Sequence, residues 1–489
     1  MRKRYIVSID QSTQGTKALL FDEKGRLLLR RDKNHRQIIN EKGWVSHDGQ
    51  EIYENTLEIL RQLITESRIV PEEIGALGIS NQRETSIAWD RKTGEPLGHA
   101  IVWQCSRAQG ICQELQEYGE VIRRKTGIPL SPYFPAAKFA WLLRSREQAD
   151  RLMRENRLCL GTMDSYLVFR LTGGVHKTDV SNASRTQLFD LEQGRFDREL
   201  CSLFGVPMEC LPQIEDSDGF FGRTDLDGFL QEPIPIHGVL GDSHAALFGQ
   251  ECLKRGMIKT TYGTGSSIMM NVGKTPVFSQ NGIVSSVGFK VGGELSYVLE
   301  GNLNYTGAVI SWLKNDLKLI TKDSETEALA YAAHPEDTTC IVPAFSGLGA
   351  PYWDSNARAA VIGMTRTTGR AEIVKAALSC IAHQITDIIE AMEADSGIPV
   401  EELRVDGGPT RNQFLMQLQS DLAGCTVQVP DTEELSGMGA AFAAGMAVGL
   451  YTQEVFRTVE RTAYETKMET AQAGRLREIW KNAVEKVLT

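Results

Sequence analysis

Tyr5-Ile-Val-Ser-Ile-Asp10-Gln-Ser-Thr13-Gln-Gly-Thr-Lys17-Ala-Leu-Leu-Phe21 is the stretch on which the reading of this chain turns. An apolar run stops at Asp10, a small polar turn follows, and apolar residues resume after Lys17. The pattern predicts a strand, a tight turn and a second strand. Such a turn aims backbone N–H groups and hydroxyls at one point, a concavity that holds an anion. Asp10 at its edge can hold a divalent cation, and Lys17 adds positive charge. Together they suit a nucleotide phosphate with Mg²⁺. An ordinary hairpin with Asp and Ser at its turn would use the same residue types.

A second segment, Lys259-Thr-Thr-Tyr-Gly263-Thr264-Gly265-Ser266-Ser267-Ile-Met-Met-Asn271, repeats the pattern in the other half of the chain. Two phosphate-type turns, one per half, point to a duplicated architecture gripping one nucleotide from both sides. At this level the sequence resembles the actin, Hsp70 and sugar-kinase superfamily. The resemblance implies an α/β fold of two duplicated actin/hexokinase/Hsp70-like (ribonuclease H-like) domains with a nucleotide cleft between them. The junction is expected near Gly249–Gly256, giving domains 1–250 and 251–489.

Composition agrees. A chain of 489 residues predicts roughly two to four domains and is long enough for two full cores. The net charge of −10 argues against nucleic acid or an anionic membrane as the main partner. An anionic nucleotide must then be held by local dipoles and a few cations. Nine cysteines without a CxxC pair read as reduced, mostly buried thiols of a cytoplasmic protein. Met-Arg-Lys-Arg is followed by only five residues before Asp10, too short for a signal-peptide core. The most apolar stretch, Gly437 to Leu450, is broken by glycines and falls short of the ~18 residues that span a bilayer. No membrane insertion is expected.

The first half alternates strand and helix signals. Ile74–Ser80 reads as a buried strand, Ser86–Asp90 as a strand with Arg91–Gly94 as its hairpin turn, and Glu51–Ser67 as a helix. Val239–Asp242 reads as a strand end and Ser243–Cys252 as a helix. Later come a strand at Leu403–Asp406, a turn at Gly407-Gly408, a helix from Asn412 to Leu422, and an Ala/Gly-rich helix from Glu433 to Leu450 suited to close packing. The turn at Gly407-Gly408 offers bare backbone where a flat base or ribose can approach. Other nucleotide and metal motifs fail: Ile268 stands where a P-loop ending in Gly273-Lys274-Thr275 needs its first glycine, and neither HExxH nor paired CxxC is present.

An ordered series narrows the resemblance: Asn81-Gln-Arg-Glu-Thr85, Ile101-Val-Trp-Gln-Cys105, Pro132-Tyr-Phe134 with Lys138 and Trp141, Asp179 to Thr186, Gly241-Asp242, Tyr262-Gly-Thr-Gly265, Gly347 to Asp354, and Arg404-Val-Asp-Gly-Gly408. Along nearly the whole of 5–450 the chain resembles the FGGY carbohydrate kinases, most of all those acting on glycerol. The implied activity is transfer of the γ-phosphate of ATP to a terminal hydroxyl of glycerol or a related polyol or sugar, with Mg²⁺. Phosphoryl transfer needs alignment, charge neutralisation and a base for the attacking hydroxyl. By resemblance Asp242 is that base, and Asp10 and Asp242 attend the metal. Arg83 and Glu84 offer a donor fork beside an acceptor for adjacent hydroxyls, and Trp103 and Tyr133 wall the carbon skeleton. Thr13, Gln14, Lys17, Thr264 and Gly265 fall on the phosphate side, and Gly307, Ser311, Gly408 and Asn412 on the adenosine side. A homodimer is a family-level expectation.

The departures carry information. The glycerol-acting members typically place Gln directly after the catalytic Asp; here Ser243 stands there, followed by His244. They typically carry Phe at the position of Ser267. Two serines enlarge the pocket and add hydroxyl partners, which suits a longer substrate such as a tetritol, pentitol or ketopentose. Gln14 and Ser311 also differ from the common residues. The loop from Asp225 to Pro233 lacks the glycine-and-arginine pattern that some members use for fructose 1,6-bisphosphate, so no such regulation is expected. Two other classes fit less well. An ATPase acting on a protein partner has no need of Arg83-Glu84, Trp103 and Tyr133 together. An esterase built on Gly241-Asp242-Ser243 lacks the downstream Asp-x-x-His, the one such spacing being Asp32 to His35.

Overall fold

The computed structural model describes residues 2–489. β1 (Tyr5–Gln11) and β2 (Gly15–Phe21) form the expected hairpin, which places Asp10 opposite Lys17. β3 (Leu27–Asn34) adds antiparallel to β2. β4 (Ile74–Asn81) and β5 (Ile234–Gly241) then extend the sheet in parallel on the other side of β1. With a short edge strand at Arg223–Thr224 the first sheet has six strands. Parallel strands covered on both faces read as continuous apolar runs, and Ile6, Val7, Ile9, Leu77 and Ile79 are fully buried.

The second sheet repeats this plan. β6 (Ile258–Tyr262) and β7 (Ser266–Gly273) form a hairpin. β8 (Val284–Val291) and β9 (Glu294–Leu303) follow, with β9 antiparallel to β7. β10 (Glu402–Asp406) and β11 (Thr426–Pro430) add in parallel beyond β6, and β12 (Arg461–Tyr464) closes the edge. In both sheets a hairpin and a third antiparallel strand lie on one side of the first strand, and two parallel strands on the other. The duplicated α/β architecture is therefore present. A separate five-stranded sheet, containing Ser86–Asp90, Ala100–Ile101 and Leu158–Thr162, leads into the segments that carry Trp103 and Tyr133.

Helices cover the sheets. α1 (Gly49–Ser67) packs on β2 and β3, its first turn capped by the Asp48 carboxylate. α2 (Asp242–Gly249) leaves the end of β5. α3 (Gly307–Asn315), α4 (Arg370–Ser396) and α5 (Gln413–Ala423) serve the second half. α6 (Leu435–Ala447) is the Ala/Gly-rich helix. It belongs to the second half in sequence yet packs on β1, β4, β5 and α2 of the first. Its small residues make this possible: a Cβ on Gly439 would lie 1.8 Å from the Ala245 carbonyl oxygen. Ser8 Oγ donates to the Gly437 carbonyl at 2.8 Å. Leu19, Phe21, Leu247, Met269 and Phe442 share one apolar cluster, so the two halves have a common core.

The turn after Ser86–Asp90 is present: Gly94 N donates to the Asp90 carbonyl at 2.8 Å, Asp90 N to that of Glu95 at 3.0 Å and Leu97 N to that of Ala88 at 2.9 Å. The strand's longer ladder is on its other side, with Leu158–Thr162. All nine cysteines are free and buried. Among the described residues no helix is long and apolar enough to cross a membrane.

Candidate active site between the two sheets

The ends of β1, β4 and β5 bring the first group together. Asp10 is the penultimate residue of β1 and accepts a hydrogen bond from Ser80 Oγ at 2.9 Å. Burial pushes its carboxyl up to about 6, opposed by Lys17. Asp242 opens α2, where the N–H of Ser243 donates to Oδ1 at 2.7 Å. Arg83 Nε lies 3.2 Å from the same oxygen, and 36% of the Asp242 side chain faces the cleft. Enclosure by the cleft walls raises the Asp242 carboxyl, with Arg83 opposing. A carboxylate made more basic by enclosure yet held ionised by a neighbouring cation suits proton abstraction from an alcohol. The Asp242 charge also raises Asp10, and a bound dication would relieve that repulsion. Among the described residues no cluster of three or more metal-ligating side chains exists. A pair of hard carboxylate donors fits Mg²⁺, which takes one or two carboxylates with waters and substrate phosphates.

Arg83 and Glu84 follow β4, with Glu84 in the left-handed region at φ 58°. Both reach the site, and both are held by residues that sequence reasoning missed. Arg83 donates through Nη1 and Nη2 to Glu300 of β9 at 2.9 and 2.8 Å. Glu84 Oε1 accepts from Arg185 Nε at 2.7 Å, and Arg185 Nη1 lies 2.8 Å from Glu300 Oε2. All four side chains are buried. Glu300 had a visible signal: it is the single acid in the otherwise apolar run Tyr297-Val-Leu-Glu300, and charged residues are almost never fully buried unless paired. Arg185 lies in the quoted stretch Asp179 to Thr186 but carries no mark of its own.

Trp103 and Tyr133 form one wall, their rings 5.5 Å apart and tilted. The indole N–H of Trp103 donates to Thr13 Oγ1 at 2.9 Å. The Thr13 hydroxyl thus receives the indole N–H and keeps its own proton to donate. Lys138 Nζ donates to the Tyr133 carbonyl. Gln14 is exposed at the tip of the first turn. Lys17 is engaged by Glu434 at 2.8 Å, with Asp10 at 3.9 Å.

In the second half, Gly263-Thr264-Gly265 joins β6 to β7 and rests on the N-terminus of α3. The Gly263 carbonyl accepts from Gly307 N at 2.9 Å, and the Thr264 carbonyl from Ala308 N at 3.0 Å. The contact is so close that a Cβ on Gly307 would lie 2.7 Å from the Gly263 oxygen. Ser311 lies one turn further along α3 and is exposed. Gly408 follows β10 through Gly407 at φ 99°. Asn412 caps α5: its Oδ1 accepts from Leu415 N at 2.9 Å while its Nδ2 donates to Thr326 Oγ1 at 3.1 Å. Ser267 faces Asn302 across β7 and β9. Both are half-buried and both donate to Glu300 Oε1, at 3.3 and 3.2 Å. Ser243 is half-buried beside Asp242, whereas His244 is fully buried and kept neutral, first by burial and then by Arg83.

Residues 5–249 match the FGGY family of carbohydrate kinases, N-terminal domain, and residues 258–448 match its C-terminal domain. The chain is 46% identical over 492 residues to glycerol kinase 1 of Thermotoga maritima, covering 99% of this chain and 100% of that protein. It is 42% identical over 491 residues to the glycerol kinase of Brevibacillus brevis, covering 99% and 98%. It superposes on the crystal structure of Plasmodium falciparum glycerol kinase with ADP at a TM-score of 0.93, with 34% identity over 100% of this chain and 99% of that one. A ligand-bound xylulose kinase from Lactobacillus acidophilus, 22% identical over 99% and 97%, shares the fold at a TM-score of 0.88.

Proposed function

The chain belongs to the FGGY family of carbohydrate kinases, and from that premise we infer how its cleft performs the transfer. The enzyme is an ATP-dependent phosphotransferase whose acceptor is a hydroxyl of glycerol or a related carbohydrate. One observation carries the assignment of the base. Asp242 sits where β5 becomes α2, fixed by the Ser243 N–H and Arg83 and open to the cleft. It takes the proton from the acceptor's terminal hydroxyl as that oxygen attacks the γ-phosphate in line. Arg83 and Glu84 bind the remaining hydroxyls, with Trp103 and Tyr133 against the carbon chain.

Thr13, Gln14, Lys17, Thr264 and Gly265 meet the phosphates, and Gly307, Ser311, Gly408 and Asn412 the adenosine. Asp10 and Asp242 would hold Mg²⁺, which would supply charge neutralisation at the transferring group. Functionally we divide the chain into 1–250, with the acceptor pocket and first turn, and 251–489, with the second turn and adenosine side. Nine buried free thiols support a reducing, cytoplasmic setting.

Initial-rate assays with ATP and a panel of C3 to C6 polyols and ketoses test this. Magnesium-dependent phosphorylation of glycerol is the expected result; no phosphorylated acceptor anywhere in the panel would overturn it. A second reading has its own support. Ser267 and Asn302 form a half-exposed polar pair on the cleft wall, suited to hydroxyls beyond a third carbon. If glycerol turns over no better than pentitols or ketopentoses, that reading replaces the first.

A further inference from the structure

We propose that Glu300 is a positioning residue for the transfer, fixing Arg83 and Arg185 from the opposite sheet so that the acceptor-facing charges are aligned only when both halves are in place. The inference rests on Arg83 and Glu84 being the acceptor's polar partners.

Glu300 is fully buried on β9 in the second sheet. Each of its oxygens faces more than one donor. Oε2 accepts from Arg83 Nη1 and faces Arg185 Nη1; Oε1 accepts from Arg83 Nη2, Ser267 Oγ and Asn302 Nδ2. A guanidinium is a rigid planar fork. Once both Nη groups are fixed by one carboxylate, the direction of Nε is fixed as well, and here Nε faces Asp242 at 3.2 Å. The second cation extends the same control. Arg185 is anchored on Glu300 and donates to Glu84. One carboxylate of the second half therefore sets the direction of Arg83 and, through Arg185, of Glu84. Stability alone is a weak reason for this cluster, since apolar residues of similar volume often replace a buried ionic group at no cost. Any rotation of one half against the other would break the bidentate pair and release the fork.

The test compares the full-length enzyme with Glu300→Gln, Glu300→Asp, Arg83→Gln and the double variant Arg83→Gln/Glu300→Gln. Glu300→Gln should lower acceptor kcat/KM about 100-fold, chiefly through acceptor KM, and leave ATP KM within about twofold. Glu300→Asp, which keeps the charge, should recover about tenfold of that loss. The double variant should lose clearly less than the product of the two single losses, because Glu300 acts in part through Arg83 and in part through Arg185. Wild-type acceptor KM in Glu300→Gln, or additive losses in the double variant, would overturn the proposal. So would a lower melting temperature with both KM values unchanged. If Glu300→Gln does not fold, Glu300→Gln/Arg185→Gln removes one charge of each sign; a near-wild-type acceptor KM there is equally decisive. These outcomes are distinct from failure of the kinase reading, in which the unaltered enzyme phosphorylates no acceptor.

Discussion

The Lys17 ammonium is bonded to the Glu434 carboxylate at 2.8 Å, tying the first phosphate turn to the entry of α6 across 417 positions of chain. Arg30 binds the same carboxylate, and Asp10 lies 3.9 Å from Lys17 on the other side. Lys17 is thus held between Glu434 at the entry of α6 and Asp10 near the end of β1. Lys17→Met should raise ATP KM about tenfold with acceptor KM unchanged. Glu434→Gln leaves Lys17 free to turn to the phosphates, so ATP KM should not rise, while the melting temperature falls because Arg30 also loses that carboxylate and keeps only Asp32. Initial rates and thermal melts on both variants check this; a raised ATP KM in Glu434→Gln would contradict it.

Removing the base should be more drastic. Asp242→Asn keeps the shape and the contact with the Ser243 N–H but cannot accept the acceptor's proton. Phosphoryl transfer should fall roughly 10³-fold or more, with ATP affinity by calorimetry largely kept. A variant with near-normal turnover would remove Asp242 from that role.

The acceptor wall makes a prediction of selectivity. Ser267→Phe fills the space in front of Asn302 and removes one donor to Glu300. The ratio of glycerol to pentitol kcat/KM should rise about tenfold. An unchanged ratio means that Ser267 does not set acceptor length.

Lys138 gives a pH signature. It is fully buried beside Tyr133, and burial pulls its ammonium down to about 7, with Glu84 opposing. Its folded pKa lies below its unfolded one, so between about pH 7 and 10 the unfolded chain binds the extra proton. Stability from this group therefore rises with pH across that window, and below it the full cost of a buried charge remains. Lys138→Met should gain most in melting temperature over the unaltered protein at pH 6 to 7, and the gap should narrow toward pH 10. Parallel melts at four or five pH values would show it; a gap that widens with pH would refute it.

The thiols should be silent in the native protein. All nine are buried, and burial pushes Cys112 up to about 11 and Cys159 up to about 12. Thiolate, not thiol, is the reactive form. Ellman's reagent should label none before denaturation and nine after it. Rapid native labelling would show an accessible thiol that this packing does not provide.

Much of the architecture was legible in the chain because its signals are local. The hairpin at Asp10, its repeat at Gly263–Gly265 and the strand leading to Asp242 are each written in a dozen consecutive residues. The site was legible only in part. Thr13 was expected on the phosphates, yet its hydroxyl also receives the Trp103 indole. Asn412 was placed on the adenosine side, and its side chain also caps α5 and donates to Thr326. Arg185 and Glu300 went unread because their meaning depends on partners about a hundred or more positions away.

By itself, then, the amino-acid order determined the two matching turns, the alternation that builds each sheet, and the identity of the carboxylates at the strand ends. Those features follow from backbone geometry and side-chain periodicity, which act over a few residues. Only the assembled molecule decided which charges meet: Arg83 with Glu300, Glu84 with Arg185, Lys17 with Glu434. A buried ion is costly without a counter-ion, and for Arg83 and Lys17 that counter-ion is set by how β9 and the entry of α6 pack against the first sheet, which no short stretch of sequence encodes.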